Sequence, residues 1–296
     1  MKDVISDLHP FASFFYFTCV LAFSMYFTHP VTQAVSLICA IAYSVYLKGR
    51  KALSFSSRIM LPMIIIVALI NPLFNHQGAT ILTYFRGGNP LTLESIVYGI
   101  SSGATLITVI CWFSCFNVII TSDKIIYLFG RIIPALSLIF SMTLRFVPRF
   151  KAQMLIVSDA QRCVGRDVST GSIFQRARHG IKILSIMVTW ALENAIETAD
   201  SMKSRGFGLP GRTAFSNFRF DRRDGKVLLF TAVCACAIIT GAALGGLSFR
   251  YYPTVKGVSA APLSLVLYAV YTALCFAPVF LNVMEDRKWK ALKSAI

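Results

Sequence analysis

Acidic side chains are scarce in this sequence. Asp and Glu number 13 against 29 Lys and Arg in 296 residues, and charged residues of both signs reach only 14%. A soluble domain of that length needs more charge than this on its surface. Also missing is any G-x-x-x-x-G-K-[ST] phosphate loop, which removes the usual backbone cradle for nucleotide phosphates. Histidine is limited to His9, His29, His76 and His179, spread over loops and segment ends. The cysteines (Cys19, Cys39, Cys111, Cys115, Cys163, Cys234, Cys236 and Cys275) show no repeated metal-ligand spacing with them. No metal site is expected, and most of these thiols are read as small apolar side chains. The start MKDVISDLHP shows no small-residue cleavage pattern, so an uncleaved N-terminus is expected.

Apolar sequence is what the chain has in quantity, at 56% of residues. Runs at 11–28, 30–47, 59–75, 94–121, 227–248 and 262–285 approach or exceed the roughly 20 residues that cross a bilayer core. The expected fold is therefore all-α: a polytopic membrane protein with about six transmembrane helices. His29-Pro30 separates the first two spans, and proline suits a helix start. Gly99 and Gly103, and again Gly241 and Gly245, stand four apart, a spacing that allows close helix approach in lipid. Those faces serve either internal packing or another membrane subunit.

The formal charge of +16 is distributed by position. Lys48, Arg50, Lys51 and Arg58 fill one connection, and Arg287, Lys288, Lys290 and Lys293 fill the tail. Seventeen further Lys and Arg fall within 122–226. The two remaining connections hold Arg86 alone and the pair Arg250 and Lys256. This is the positive-inside pattern, and it places both termini and the 122–226 region in the cytoplasm of a cell-membrane protein. Nucleic acid is not an expected partner, because the basic residues alternate with acidic ones along helices rather than with exposed aromatics. The chain divides into N-terminal spans over 1–121, a cytoplasmic region over 122–226, and a C-terminal hairpin with its basic tail over 227–296.

The run IIPALSLIFSMTLRFVP at 132–148 is apolar but bracketed by Lys124, Arg131, Arg149 and Lys151, and it contains Arg145. It is placed at the cytoplasmic interface. Beyond it, KAQMLIVSDAQRCVGRD at 151–167 reads as an amphipathic run stopping at Gly165. From Ser172, a candidate N-cap, apolar residues recur every three or four positions through Met202. This predicts a long amphipathic cytoplasmic helix ending at Arg205 with Gly206 as its stop. Two basic, glycine-stopped helix ends thus stand about forty residues apart. Arg205 either caps the helix dipole or offers its planar fork to a carboxylate on a partner.

Ser204-Arg205-Gly206, within ADSMKSRGFG, resembles the second Ala-Arg-Gly-type motif of the transmembrane T components (EcfT, CbiQ-like) of energy-coupling factor importers. DAQRCVG resembles the first, with Cys163-Val164-Gly165 at the triplet and Val164 at the arginine position. NPLFNHQG (71–78), NPLTLESIVYG (89–99), TSDKIIYLFGRIIP (121–134), LRFVPRF (144–150) and GRT (211–213) are similar in order and spacing to the same family, so that the likeness covers roughly 60–225. The resemblance implies a non-catalytic scaffold between two ABC-type ATPases and a small membrane-embedded substrate-binding S component, importing a vitamin or metal ion. It implies ATPase-coupling residues Ser204, Arg205, Gly206 and Gly165, with Arg162 or Arg166 supplying charge at the first end. ATP and Mg would be bound by the partner subunits, with no cofactor in this chain. Ile181, Leu184, Val188 and Met202 form the apolar face expected to meet the S component. The alternative is a self-sufficient secondary transporter, which calls for a midplane site and inverted repeats; no repeat is visible in the sequence.

Overall fold

The computed structural model describes residues 3–84, 90–130, 133–209, 218–255, 257 and 261–294. GRT at 211–213, Arg86, Lys256, and Arg131 with Ile132 lie outside them. The chain forms two compact units, residues 1–125 with 218–296, and residues 126–217.

The first unit is a helical bundle. After a single turn, α1 (Val4–Asp7), come α2 (Pro10–Tyr26), α3 (Pro30–Lys48), α4 (Arg50–Phe74) and α5 (Leu93–Ile119), then, later in the chain, α9 (Arg222–Ala243) and α10 (Pro262–Ser294). Proline opens both α2 and α3, and the preceding His9 and His29 accept from the backbone amides two residues on, a cap built from an imidazole nitrogen. Each of the six expected apolar runs falls on one of these longer helices. Four of them, α3, α5, α9 and α10, are long and apolar enough to cross a membrane, while α2 and Pro62–Phe74 of α4 are apolar but shorter.

Helix α5 is central, packing on α2, α3 and α4. Its Trp112 is fully buried with Phe17 and Tyr43, and the indole N–H donates to Ser36 Oγ at 3.0 Å. Gly99 and Gly103 face α4, where a Cβ on Gly99 would stand 3.1 Å from the Ala68 carbonyl and one on Gly103 3.4 Å from Ile64 Cα. This glycine pair is thus used for internal packing. Gly241 is likewise pressed against Leu267, but Gly245 has φ +83° and ends α9 instead of extending its face, so that helix stops short of the expected end at 248. Cys39, Cys111, Cys115, Cys234 and Cys275 are buried, Cys19 is half-buried, and Cys163 and Cys236 are exposed.

One element had no counterpart in the sequence reading. Strands β1 (Ile81–Tyr84) and β2 (Pro90–Thr92) pair antiparallel between α4 and α5. They are too short for an alternating pattern to stand out. Thr92 caps α5, and the buried Glu94 in its first turn accepts from the Thr80 hydroxyl at 2.8 Å.

The N-terminus is tied into the bundle. Asn282 of α10 accepts from the Val4 amide at 2.8 Å and donates to Asp3, which also accepts from Tyr43 Oη at 3.0 Å. Lys124, in α6 (Ser122–Gly130), is 5% exposed and donates to the Ser6 carbonyl at 2.7 Å.

In the second unit, α7 (Pro134–Cys163) and α8 (Ile173–Ser204) form a helical hairpin. The expected apolar run at 132–148 and amphipathic run at 151–167 are one continuous helix from Pro134. Pro148 sits inside it, where it removes one amide donor from the helix ladder.

Burial outweighs four hydrogen bonds at Asp3 and holds its carboxyl above the ordinary 3.8. The folded chain keeps this proton where the unfolded chain has lost it. The contribution to stability is therefore complete below 3.8 and lost as pH rises through the raised value. Asp3→Asn is expected to flatten that part of the profile of Tm against pH in detergent. Asn282→Leu, which leaves the Val4 amide and Asp3 without this partner, is expected to destabilise by about 1–3 kcal/mol in the same melts.

Candidate functional site

Both helices of the second unit stop in the same way. At the end of α7, the Gly165 amide bonds the Arg162 carbonyl at 3.0 Å and the Arg166 amide bonds the Gln161 carbonyl at 2.9 Å. At the end of α8, the Gly206 amide bonds the Lys203 carbonyl and the Phe207 amide bonds the Met202 carbonyl, both at 3.0 Å. Each is a Schellman motif, whose turn needs one residue in the left-handed region. Gly165 and Gly206 supply it with φ of +75° and +79°. The residue before each glycine is then placed identically: Val164 has φ −89° and ψ 11°, Arg205 φ −87° and ψ 11°. Cys163-Val164-Gly165 and Ser204-Arg205-Gly206 are therefore equivalent triplets in three dimensions, and Val164 stands where Arg205 stands in the other.

The two stops differ in charge. Val164 is 66% exposed. Arg162 ion-pairs with Asp167 at 3.4 Å, and Asp167 also accepts from the Ser169 hydroxyl and amide, bonds that hold its carboxyl below the usual range. Arg176 Nε donates to the Val168 carbonyl at 2.7 Å, closing the turn back onto α8. The first stop is thus a folded turn with an apolar tip, and Arg162 is engaged in holding it.

The start of α8 is set by a capping box. Ser172 Oγ accepts from the Gln175 amide, and Gln175 Oε1 accepts from the Ser172 amide. With 32 residues, α8 is about 48 Å long. The Gly165 turn lies beside its start and Gly206 at its end, so the two stops are separated by about a helix length.

Helix α8 has two apolar faces. Ile183 and Met187 are buried, and Trp190 packs edge-on against Phe150 of α7 with ring centroids 5.2 Å apart. On the other side, Ile181, Leu184, Val188, Leu192 and Ile196 remain 50–67% exposed. Met202 is not exposed as that stripe is. It is half-buried and lines a groove between α7 and α8, because packing against α7 claims the end of the helix. The exposed stripe includes Leu192 and Ile196, which follow Val188 at four-residue spacing and which the sequence reading did not single out.

The groove, about 650 Å³ in volume, is lined by Met142, Arg145, Phe146, Pro148, Arg149, Asn194, Glu197, Thr198, Ser201, Met202 and Arg205. In the sequence Arg145 and Arg149 stand out as charges beside an apolar run and as part of LRFVPRF, not as groove residues. Their four-residue spacing on α7 is the signal that puts them on one face with Arg205 opposite.

A family model described as a cobalt transport protein, CbiQ, matches residues 1–215, a stretch that includes both triplets. The chain belongs to the CbiQ family. It is thereby a T component, the transmembrane component of an energy-coupling factor transporter. Among its relatives, the transmembrane protein EcfT of Bacillus selenitireducens is 31% identical over 112 residues, 38% of this chain and 42% of the relative. EcfT of Lactobacillus helveticus is 34% identical over 90 residues, 30% of this chain and 32% of the relative. The chain therefore spans less than half the length of these two. EcfT 1 of Listeria monocytogenes is 25% identical over 248 residues, covering 77% of this chain and 86% of the relative.

Replacing either stop glycine tests the geometry of this T component directly. A Cβ at Gly165 meets nothing within 4 Å, so Gly165→Ala adds only backbone strain, about 1–2 kcal/mol. At Gly206 the same change also crowds Leu209 Cδ1 at 3.1 Å. Both variants are expected to fray the last turn, seen as faster hydrogen exchange at the amides of residues 165–166 and 206–207 respectively, with the bundle unchanged.

Proposed function

We propose that this T component is the scaffold between two cytosolic ABC-type ATPases and a small membrane-embedded S component. The observation that carries this is the pair of equivalent glycine stops a helix length apart, each presenting its C-cap residue to solvent. A pair of equivalent ends suits a pair of similar partners. At the second end, Ser204, Arg205 and Gly206 form the ATPase-coupling tip, with the Arg205 guanidinium as the anchor for a carboxylate. At the first end, Gly165 makes the turn, Arg162 stiffens it through Asp167 and Arg166 adds charge, while Val164 supplies an apolar contact.

Closure of the ATPases around nucleotide moves the surfaces that hold these tips. Helices α7 and α8 are long and stacked on each other, so they transmit that motion as a lever instead of absorbing it. The exposed stripe of Ile181, Leu184 and Val188, extended by Leu192 and Ile196, gives the S component an apolar surface with few directional bonds, on which a membrane protein slides or tilts. Met202, turned into the groove, supports the Arg205 end rather than that surface. ATP and Mg belong to the ATPases, and the vitamin or metal ion to the S component. The distribution of Lys and Arg supports a cell-membrane placement with both termini and the α7–α8 hairpin in the cytoplasm.

Co-purification of the assembled complex from mild detergent tests this reading. Arg205→Glu is expected to lose most of the ATPase while retaining the S component. Leu184→Asp with Val188→Asp is expected to do the reverse. Unchanged ATPase recovery from Arg205→Glu would reduce that arginine to a helix-end charge, and a wild-type chain that recovers no ATPase would overturn the scaffold reading.

A further inference from the structure

Helix α4 carries a stripe of apolar side chains, Ile65, Ile66, Leu69, Ile70, Leu73 and Phe74, that are 48–82% exposed. Steps of four keep the stripe on one side of the helix. The β1–β2 hairpin follows that helix, and it too shows apolar surface. Ile81, Leu82 and Tyr84 are 47%, 50% and 66% exposed. Strand β2 packs on α4 and α5, while every residue of β1 is exposed. Between Arg58 and Arg86 the sequence has no Asp, Glu, Lys or Arg. An edge strand that stands in water is commonly blunted by charge, and β1 has none. Its base is nevertheless held. The Thr80 hydroxyl donates to Glu94 at 2.8 Å, Thr92 Oγ1 donates to the Gln77 carbonyl at 2.8 Å, and the Ala79 amide donates to the Pro253 carbonyl at 3.0 Å.

The flanking helices set the depth of the strand. Residues 59–74 of α4, from the last charge to the helix end, cover about 24 Å, roughly 6 Å less than a bilayer core of about 30 Å. Helix α5, with 27 residues, is about 40 Å long and reaches about 10 Å beyond the same core. The chain between Phe74 and Leu93 thus lies between those two levels, in the layer of headgroups and first acyl carbons. Water in that layer satisfies the unpaired amides of an outer strand, which hydrocarbon does not. Tyrosine favours the same level, with its ring toward the chains and its hydroxyl toward water. A register shift between Ile81 and Thr83 breaks the alternation of the strand, so its apolar side chains form no single flat face for a rigid protein partner. A fluid partner needs no such face. We propose that β1 is embedded in the interfacial layer of the leaflet opposite the basic connection at 48–58, where Ile81, Leu82 and Tyr84 contact the glycerol and upper acyl region of lipid. This rests on the chain being a membrane protein and not on the ATPase-docking reading.

The test places a photoreactive benzophenone amino acid at Leu82, and in a separate chain at Ile66, in the full chain reconstituted into phosphatidylcholine liposomes with and without its co-purified partners. Illumination followed by mass spectrometry reads what each reporter has joined. Position 66, within the α4 stripe, is the lipid reference. Position 82 is expected to give lipid adducts in a yield within about twofold of that reference, attached at the glycerol or the first acyl carbons, whether or not partners are present. A thermal melt checks that each chain is folded, and Tyr84 takes the reporter if the Leu82 chain is not. Lipid adducts at 66 with none at 82 would place the strand in water. Attachment at the acyl chain ends would place it in hydrocarbon, and a main adduct to a partner subunit would make the patch a protein interface. Each of these three results would overturn the proposal.

Discussion

Everything distinctive in the second unit depends on a backbone constraint met twice. A long helix has no reason of its own to stop at one residue rather than the next, and a frayed end presents nothing in a fixed direction. A single residue at positive φ folds the chain back so that two amides cover the last free carbonyls. Only glycine takes that conformation without opposing its own Cβ. Gly165 and Gly206 therefore convert two helix ends into tips of defined shape, and the residue before each glycine becomes a fixed pointer. That the pointers are Val164 and Arg205 makes the two tips alike in shape and unlike in chemistry.

In the first unit the governing problem is different. Polar groups within apolar helices must find partners inside the protein. Many hydroxyls do so on their own helix, as Ser24 does with the Val20 carbonyl, Thr108 with that of Ala104 and Thr231 with that of Val227. The others gather into a few knots. Ser101 exchanges bonds with Gln33 and Tyr251, and Tyr251 reaches the Thr28 carbonyl at 2.7 Å. Asn282, Asp3 and Tyr43 form a second knot at the N-terminus. Such knots specify which helices meet, a task that apolar packing alone performs poorly.

The helices were readable in the sequence because they rest on local chemistry. Proline after His9 and His29, the Ser172 cap, and glycine after Val164 and Arg205 all act within a few residues of where they stand. The pairing of Cys163-Val164-Gly165 with Ser204-Arg205-Gly206 came from the resemblance to a family, on top of two glycine stops readable locally. The β1–β2 pair was not, since its strands are short and its pairing lies between separate segments. The continuity of α7 was not readable either: the apolar run 132–148 and the amphipathic run 151–167 join through Pro148 only where the helix packs against α8. Met202 shares the angle of Leu184 around the axis yet is half-buried beside α7, because helical periodicity gives an angle but not the neighbour found there. The groove was hidden altogether, since it exists only once α7 and α8 lie side by side.

The aromatic contact between Trp190 and Phe150 falls close to the midpoint of each helix, at position 190 in 173–204 and position 150 in 134–163. Were α8 to tilt about that contact, it would behave as a see-saw. Each arm of α8 is about 24 Å long, so a tilt of about 10° lifts one end by about 4 Å and lowers the other by the same amount. The gain is close to one and the sign is inverted. In such a tilt a push under the Arg205 end would be felt as a pull at the start of α8, beside the Gly165 turn.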